Sequence, residues 1–219
     1  MEYIKSKDFN QGAEDLATDI TLALRDGKKV LWILTGGSTI PSSVVALNLI
    51  KEGVNDLSNL TVTLTDERYG EVGHPDSSWQ KLIDAGFDFD SLNQVPVLTG
   101  LRFTETARAF ESKIDDLFSD NDLIIAQFGV GSDIHIAGII PNSEATREVG
   151  LVSSYATFDF NRITLSFEAI KRIDRAYVFI FGPSKEGVVE ELKSSKESLA
   201  NKPANILKDI ALVKVYYDR

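Results

Sequence analysis

The spacing of apolar positions changes repeatedly along this chain, and each change marks an element. Phe9, Ala13, Leu16, Ala17, Ile20 and Ala23 recur at helical spacing. Asp8 with Gln11 three residues on supplies a helix start, and Gly27 follows the last apolar position. Val30-Leu31-Trp32-Ile33-Leu34 is apolar without a break, which predicts a strand covered on both faces. After a turn at 35–39, Pro41 suits the first turn of a second helix that carries Val44, Val45, Leu47 and Leu49 to Gly53. Residues 60–64 alternate and predict a strand that runs into Thr65-Asp66-Glu67-Arg68, then a loop to Ser78. A short helix is expected at 79–85 and a short strand at 95–98, where Pro96 restricts it to an edge or a strand start.

Ala107, Phe110, Ile114, Leu117 and Phe118 share one face of a helix over 104–118, followed by a strand at 122–128. A less regular stretch leads to a strand at 162–166, a short helix at 167–173 and a strong strand at 175–181. Gly182-Pro183-Ser184-Lys185 turns into a helix with Val188, Val189 and Leu192. A short helix at 203–207 and a strand at 211–217 complete the pattern. Strands that alternate with helices predict an α/β fold with a doubly wound, mostly parallel sheet and helices on both faces. No repeat, low-complexity segment or linker divides residues 1–219, so one domain is expected.

In such a sheet, ligands bind beyond the carboxyl ends of the strands. Four polar clusters fall there: 35–39, 65–68, 129–135 and 182–185. In the first, Gly36, Gly37 and Ser38 precede a helix, where backbone N–H groups and the helix dipole favour an anion; the bland reading is a plain turn. In the second, Arg68 is suited to a bidentate grip on phosphate, and Asp66 and Glu67 add carboxylates; the bland reading is a surface ion-pair cluster. In the fourth, Lys185 is a point charge near a helix start. Arg162, at the beginning of its strand, is a further candidate for the same edge; the bland reading is a surface arginine.

The third cluster, F-G-V-G-S-D-I-H-I-A-G-I-I-P over residues 128–141, carries Asp133 and His135 two residues apart on a glycine turn that includes Gly131. Histidine is the side chain that titrates nearest neutral pH, which makes it the first candidate for proton transfer. The carboxylate beside it would orient the ring. The other histidine of the chain, His74, lies in the loop after Arg68.

Composition narrows the chemistry. The chain has 219 residues, 43% hydrophobic and 26% charged, with a formal net charge of −10. That charge argues against nucleic acid or an anionic membrane as a partner, but not against a small anion held by a local pocket. With no cysteine and two histidines, thiolate catalysis, disulfides and Cys- or His-rich metal sites are excluded. No run approaches the roughly 18 apolar residues of a membrane span, and the N-terminus does not read as a signal peptide. A cytoplasmic location and a monomer or small homo-oligomer are expected.

The order G-G-S-T, D-E-R with a histidine and serine downstream, G-x-G-x-D-x-H-x-A-x-x-x-P, R-I-T-L and G-x-x-K resembles 6-phosphogluconolactonases, and spans residues 35 to about 207. The wider superfamily includes glucosamine-6-phosphate deaminase. The resemblance implies a NagB-like modified Rossmann fold, a sugar-phosphate substrate and no cofactor or metal. It places the catalytic histidine on His135 with Asp133 beside it. It assigns Arg68 and Lys185 to phosphate, with Gly36, Gly37, Ser38 and Arg162 lining the pocket, and it puts His74 in the motif that follows D-E-R. Asp66 and Gly131 fall within the same motifs. The chain departs from the pattern at Gly138-Ile139-Ile140, which stand for S-L-F, at Tyr69-Gly70-Glu71 after D-E-R, and at the following positions. Ile134 stands where D-G-H has glycine, and isoleucine resists an unusual backbone angle. Ser78 stands for an asparagine. Ile140 occupies the place where the deaminase branch carries a glutamate that assists proton transfer, which turns the expectation toward lactone hydrolysis. A deaminase or sugar-phosphate isomerase, and a non-catalytic sugar-phosphate sensor, are the alternatives.

Overall fold

The computed structural model describes residues 1–218. In chain order the elements are β1 (Glu2–Lys5), α1 (Asn10–Arg25), β2 (Val30–Leu34), α2 (Ile40–Gly53), β3 (Leu60–Leu64), β4 (Asp66–Arg68), α3 (Ser78–Asp84) and β5 (Asn93–Gln94). Then follow α4 (Phe103–Asp120), β6 (Leu123–Gly129), β7 (Val152–Ala156), β8 (Asn161–Leu165), α5 (Phe167–Ile170), β9 (Arg175–Ile180), α6 (Val188–Ser194) and β10 (Leu212–Tyr217). Four short 3-10 segments, Gly37–Thr39, Glu144–Arg147, Pro183–Lys185 and Pro203–Asp209, join them.

Seven strands form a parallel sheet in the order β1-β10-β9-β6-β2-β3-β5. All five residues of β2 are buried, as are the first six of β6, which is why both read as unbroken apolar runs. The chain crosses the sheet in one direction through β1, β2, β3 and β5, then returns through β6, β9 and β10. With right-handed crossovers this puts α1–α3 on one face and α4–α6 on the other; α1 packs on α2, and α2 on α3. The winding reverses between β2 and β6, and a crevice opens beyond their carboxyl ends.

The buried Gln127 of β6 ties this centre together. Its carbonyl accepts from Trp32 Nε1 at 3.0 Å and Ser43 Oγ at 3.0 Å, and its amide donates to Ser42 Oγ at 3.2 Å. The start of α2 is thereby fixed against β6.

A second sheet departs from the expected layout. β4, β8 and β7 form a separate antiparallel sheet in that order. Residues 66–68 are therefore a strand and not the beginning of a loop, and residues 161–165 pair with them instead of joining the main sheet. β7 lies in the stretch that has no clear period. Its burial does not follow one strand face, since Val152, Ser153 and Tyr155 are all buried. The strand expected at 95–98 is absent: β5 is Asn93–Gln94, and Val95 adds one further bond, its N–H to the Val62 carbonyl at 2.9 Å. Pro96 has no N–H to continue the ladder. The N-terminal strand β1, four residues at the sheet edge, carries too short a pattern to read. Helix α1 begins at Asn10, two residues after Asp8, whose carboxylate accepts from the Asn10 N–H at 2.9 Å.

Candidate active site

A cavity of about 260 Å³ sits at the carboxyl ends of β2, β3, β6 and β9. Its floor is the 35–39 turn and the 129–131 turn; its walls carry Asp66, Arg68, Ser78, His135, Arg162 and Lys185. Of the residues singled out from the sequence, Gly36, Gly37, Ser38, Asp66, Arg68, Gly131, His135, Arg162 and Lys185 all line it. Asp133 stands directly behind His135. His74 does not line the cavity: its Nε2 meets the Arg68 carbonyl at 2.9 Å and its ring packs over Gly70, so it braces the end of β4.

His135 is held from two sides. Asp133 Oδ1 lies 2.6 Å from Nδ1 and also accepts the His135 backbone N–H at 3.2 Å. A proton on Nδ1 satisfies that contact and leaves Nε2 as the acceptor nitrogen. The ring packs against Gly131, where a Cβ would fall 2.1 Å from Nδ1. Partial burial works to raise the Asp133 carboxyl, but the His135 ring and the hydrogen bonds from His135 outweigh it and hold Asp133 below the ordinary aspartate range.

The turn that presents the pair is backbone-strained. Ile134, Ala137 and Asn142 all have positive φ, at 66°, 50° and 60°. Such angles cost on the order of 1–3 kcal/mol each and persist only where surroundings fix them. Ile134 thus adopts the angle that its branching resists. It is buried, its N–H donates to the Gly131 carbonyl at 3.0 Å, and its carbonyl accepts from Ala204 at 3.0 Å. The second sheet buttresses the other end. Thr164 Oγ1 accepts from the Gly138 N–H at 3.0 Å, and Tyr155 donates to the Gly138 carbonyl at 2.5 Å. A Cβ on Gly138 would sit 2.9 Å from Thr164 Cβ, so glycine is required for that approach.

Three cations gather on the walls. Arg68 and Arg162 are cross-strand partners in β4 and β8, an arrangement that like charges disfavour without an anion. Arg68 Nη1 donates to the Asp76 carbonyl at 3.3 Å, and Arg162 Nη1 stands 3.8 Å from Asp66 Oδ2. The Nε atoms of both are buried without a hydrogen-bond partner. Lys185, on the 3-10 turn after β9, donates to the Val130 carbonyl at 2.6 Å. Burial lowers its pKa, and the Asp133 charge partly offsets that shift. An incoming dianion would reverse the effect of burial.

Glu67 has a different task from its neighbours. It is fully buried and accepts four hydrogen bonds, from the N–H groups of Arg68, Ser78 and Trp79 and from Ser77 Oγ, at 2.7–3.1 Å. It pins the loop after β4 to the start of α3. Burial nevertheless pushes its pKa up, against those four bonds.

Sequence reasoning passed over Ala137 and Val130 as lining residues, and noted Ser78 only as a departure. Ser78 packs on Gly36, where a Cβ would come within 2.5 Å of its Oγ. Thr39 closes the first turn, with Oγ1 3.0 Å from the Gly36 carbonyl. The one signal for Ser78 was its place in the motif after D-E-R. Ala137 gave none, because its positive φ leaves no mark in the residue type. Among the described residues no group of three or more His, Asp or Glu side chains gathers to hold a metal ion, and no helix is long and apolar enough to cross a membrane.

The chain matches the family model described as glucosamine-6-phosphate isomerases/6-phosphogluconolactonase over residues 5–214. It is 26% identical over 236 residues to a glucosamine-6-phosphate deaminase of Lactobacillus johnsonii, covering 100% of this chain and 95% of the other. It is also 26% identical over 197 residues to a probable 6-phosphogluconolactonase of Dictyostelium discoideum, covering 84% of this chain and 82% of the other. A crystal structure of 6-phosphogluconolactonase from Thermotoga maritima shares the fold, with a TM-score of 0.82 at 21% identity, covering 100% of this chain and 99% of that one.

Proposed function

The chain belongs to the glucosamine-6-phosphate isomerase/6-phosphogluconolactonase family, and within it we propose that this protein hydrolyses 6-phospho-D-glucono-1,5-lactone to 6-phospho-D-gluconate. The observation that carries the reading is a single oriented histidine, His135 on Asp133, facing a cavity with Arg68, Arg162 and Lys185 on its walls. The cations and the Gly36-Gly37-Ser38 turn hold the phosphate, which leaves the lactone carbonyl at the His135 end.

Nε2 of neutral His135 takes a proton from water as the water oxygen adds to C1. The tetrahedral intermediate then collapses with cleavage of the bond from C1 to the ring oxygen, and the imidazolium returns its proton to that oxygen. Asp133 stabilises the imidazolium between the two steps. The Gly131 N–H is already committed to the His135 carbonyl at 3.0 Å, so it is a poor oxyanion donor. General-base assistance of this kind contributes about 10²–10⁴ in rate, enough for an activated ester.

Deamination or isomerisation of a sugar phosphate is the second reading, favoured by the deaminase relative and by Asp66, a second carboxylate on the cavity wall. Against it, Asp66 is tied to Thr65 Oγ1 at 3.0 Å and faces Arg162, and Ile140 offers no proton-transfer group. Parallel assays decide between them: gluconate formation from the lactone supports the first reading, whereas ammonia release from glucosamine 6-phosphate at comparable turnover refutes it.

A further inference from the structure

Phe160 stands in an unusual place for a half-buried aromatic. It belongs neither to the hydrophobic core nor to the side chains packed upon it, and it does not line the cavity. Its ring instead stands against both arginines: Arg68 Cζ lies 5.2 Å from the ring centroid and Arg162 Cζ 6.0 Å. The tight turn between β7 and β8 fixes the ring's backbone. The Phe160 carbonyl accepts from the Thr157 N–H at 2.8 Å and Thr157 Oγ1 at 2.7 Å, and its N–H donates to Thr157 Oγ1 at 3.1 Å. One residue on, the Asn161 carbonyl accepts from the Tyr69 N–H at 2.8 Å, which ties the turn to the end of β4.

We propose that Phe160 is a positioning residue for phosphate recognition, its ring holding the Arg68 and Arg162 guanidiniums as a preformed pair for a phosphate monoester. The inference rests on the assignment of these arginines to phosphate. Two cations opposite each other on paired strands repel. Neither is locked by a bidentate carboxylate: Arg162 has only the 3.8 Å approach of Asp66, and both Nε atoms lack partners. An aromatic face attracts a guanidinium electrostatically, and one ring meets both guanidiniums here. The pair is therefore kept near the geometry that phosphate needs, and less ordering remains to be done on binding.

The test is calorimetric titration of 6-phosphogluconate, with phosphate-free gluconate as control, into wild type, Phe160→Leu and Phe160→Tyr. Leucine keeps apolar volume without a ring face; tyrosine restores the face. Phe160→Leu should bind 6-phosphogluconate about five-fold more weakly, Phe160→Tyr within about two-fold of wild type, and gluconate binding should not change. In turnover, the leucine variant should raise KM and spare kcat. Wild-type affinity in Phe160→Leu, an equal loss in Phe160→Tyr, or an equal loss for gluconate overturns the proposal. So does a large drop in the melting temperature of the leucine variant, which would make the role structural. If the ranking holds in a protein that does not hydrolyse the lactone, the clamp stands and the hydrolase reading fails. Hydrolysis with unchanged phosphate affinity in Phe160→Leu gives the reverse.

Discussion

His135 depends on a side chain that is missing. The ring occupies the space where Gly131 would carry Cβ, so Gly131→Ala should displace the imidazole while leaving the sheet intact. The expected result is a fall in kcat of about 10² or more with a near-normal circular dichroism spectrum; an unimpaired kcat would mean that the ring is not used where it sits. Asp133 leads to a pH prediction. Its pKa is lower in the folded than in the unfolded chain, so its contribution to stability is present above the unfolded value of about 3.9 and is lost as pH falls through the folded value. Melting temperatures of wild type and Asp133→Asn should differ near neutral pH, and the difference should shrink as pH falls below about 3.9 and vanish once the folded-state carboxylate is protonated. A gap that persists at low pH would exclude the carboxylate as its source.

At the scale of elements, Glu67 joins β4 to α3, and its four donors suit a carboxylate but not an amide. In Glu67→Gln the amide nitrogen would face N–H groups and leave buried donors unmet. The loss should be about 2–4 kcal/mol in urea unfolding; a loss below about 0.5 kcal/mol would show that the network is dispensable. This element pair also marks where the sequence is legible. Strands β2, β3, β6, β9 and β10 are readable because burial on both faces leaves long apolar runs, and the clusters at the ends of β2, β3, β6 and β9 converge because parallel strands share an edge. The β4-β8-β7 sheet is not readable as a separate sheet. Its strands are short, β4 is three charged residues, and pairing across about a hundred positions leaves no local period. The strained turn is half legible. Asp133 and His135 announce themselves by residue type, whereas positive φ at Ile134 and Ala137 is imposed by contacts with Ala204, Thr164 and Tyr155 from elsewhere in the chain. His74 illustrates the opposite error: a histidine within a site motif that serves the backbone behind the site.

For the molecule as a whole, the net charge of −10 means that any attraction of an anion into the cavity is local, supplied by Arg68, Arg162 and Lys185 on its wall. Lys185→Ala should therefore raise KM about ten-fold or more with a smaller effect on kcat, and an unchanged KM would remove Lys185 from the phosphate site. The winding reversal between β2 and β6 brings the 35–39 and 129–135 turns together, while the second sheet supplies the arginine pair. The cavity is thus lined from both sheets: Arg68 and Arg162 come from the small one, and Lys185, the 35–39 turn and His135 from strand ends of the large one.

The most direct measurement is the rate of 6-phospho-D-glucono-1,5-lactone hydrolysis by the purified protein, corrected for spontaneous opening, with His135→Ala alongside at saturating substrate. If His135 is the general base of a lactone hydrolase, wild type turns over clearly and kcat is lower by about 10²–10⁴ in the variant. Equal rates for the two proteins, or a wild-type rate no greater than the spontaneous one, would contradict it.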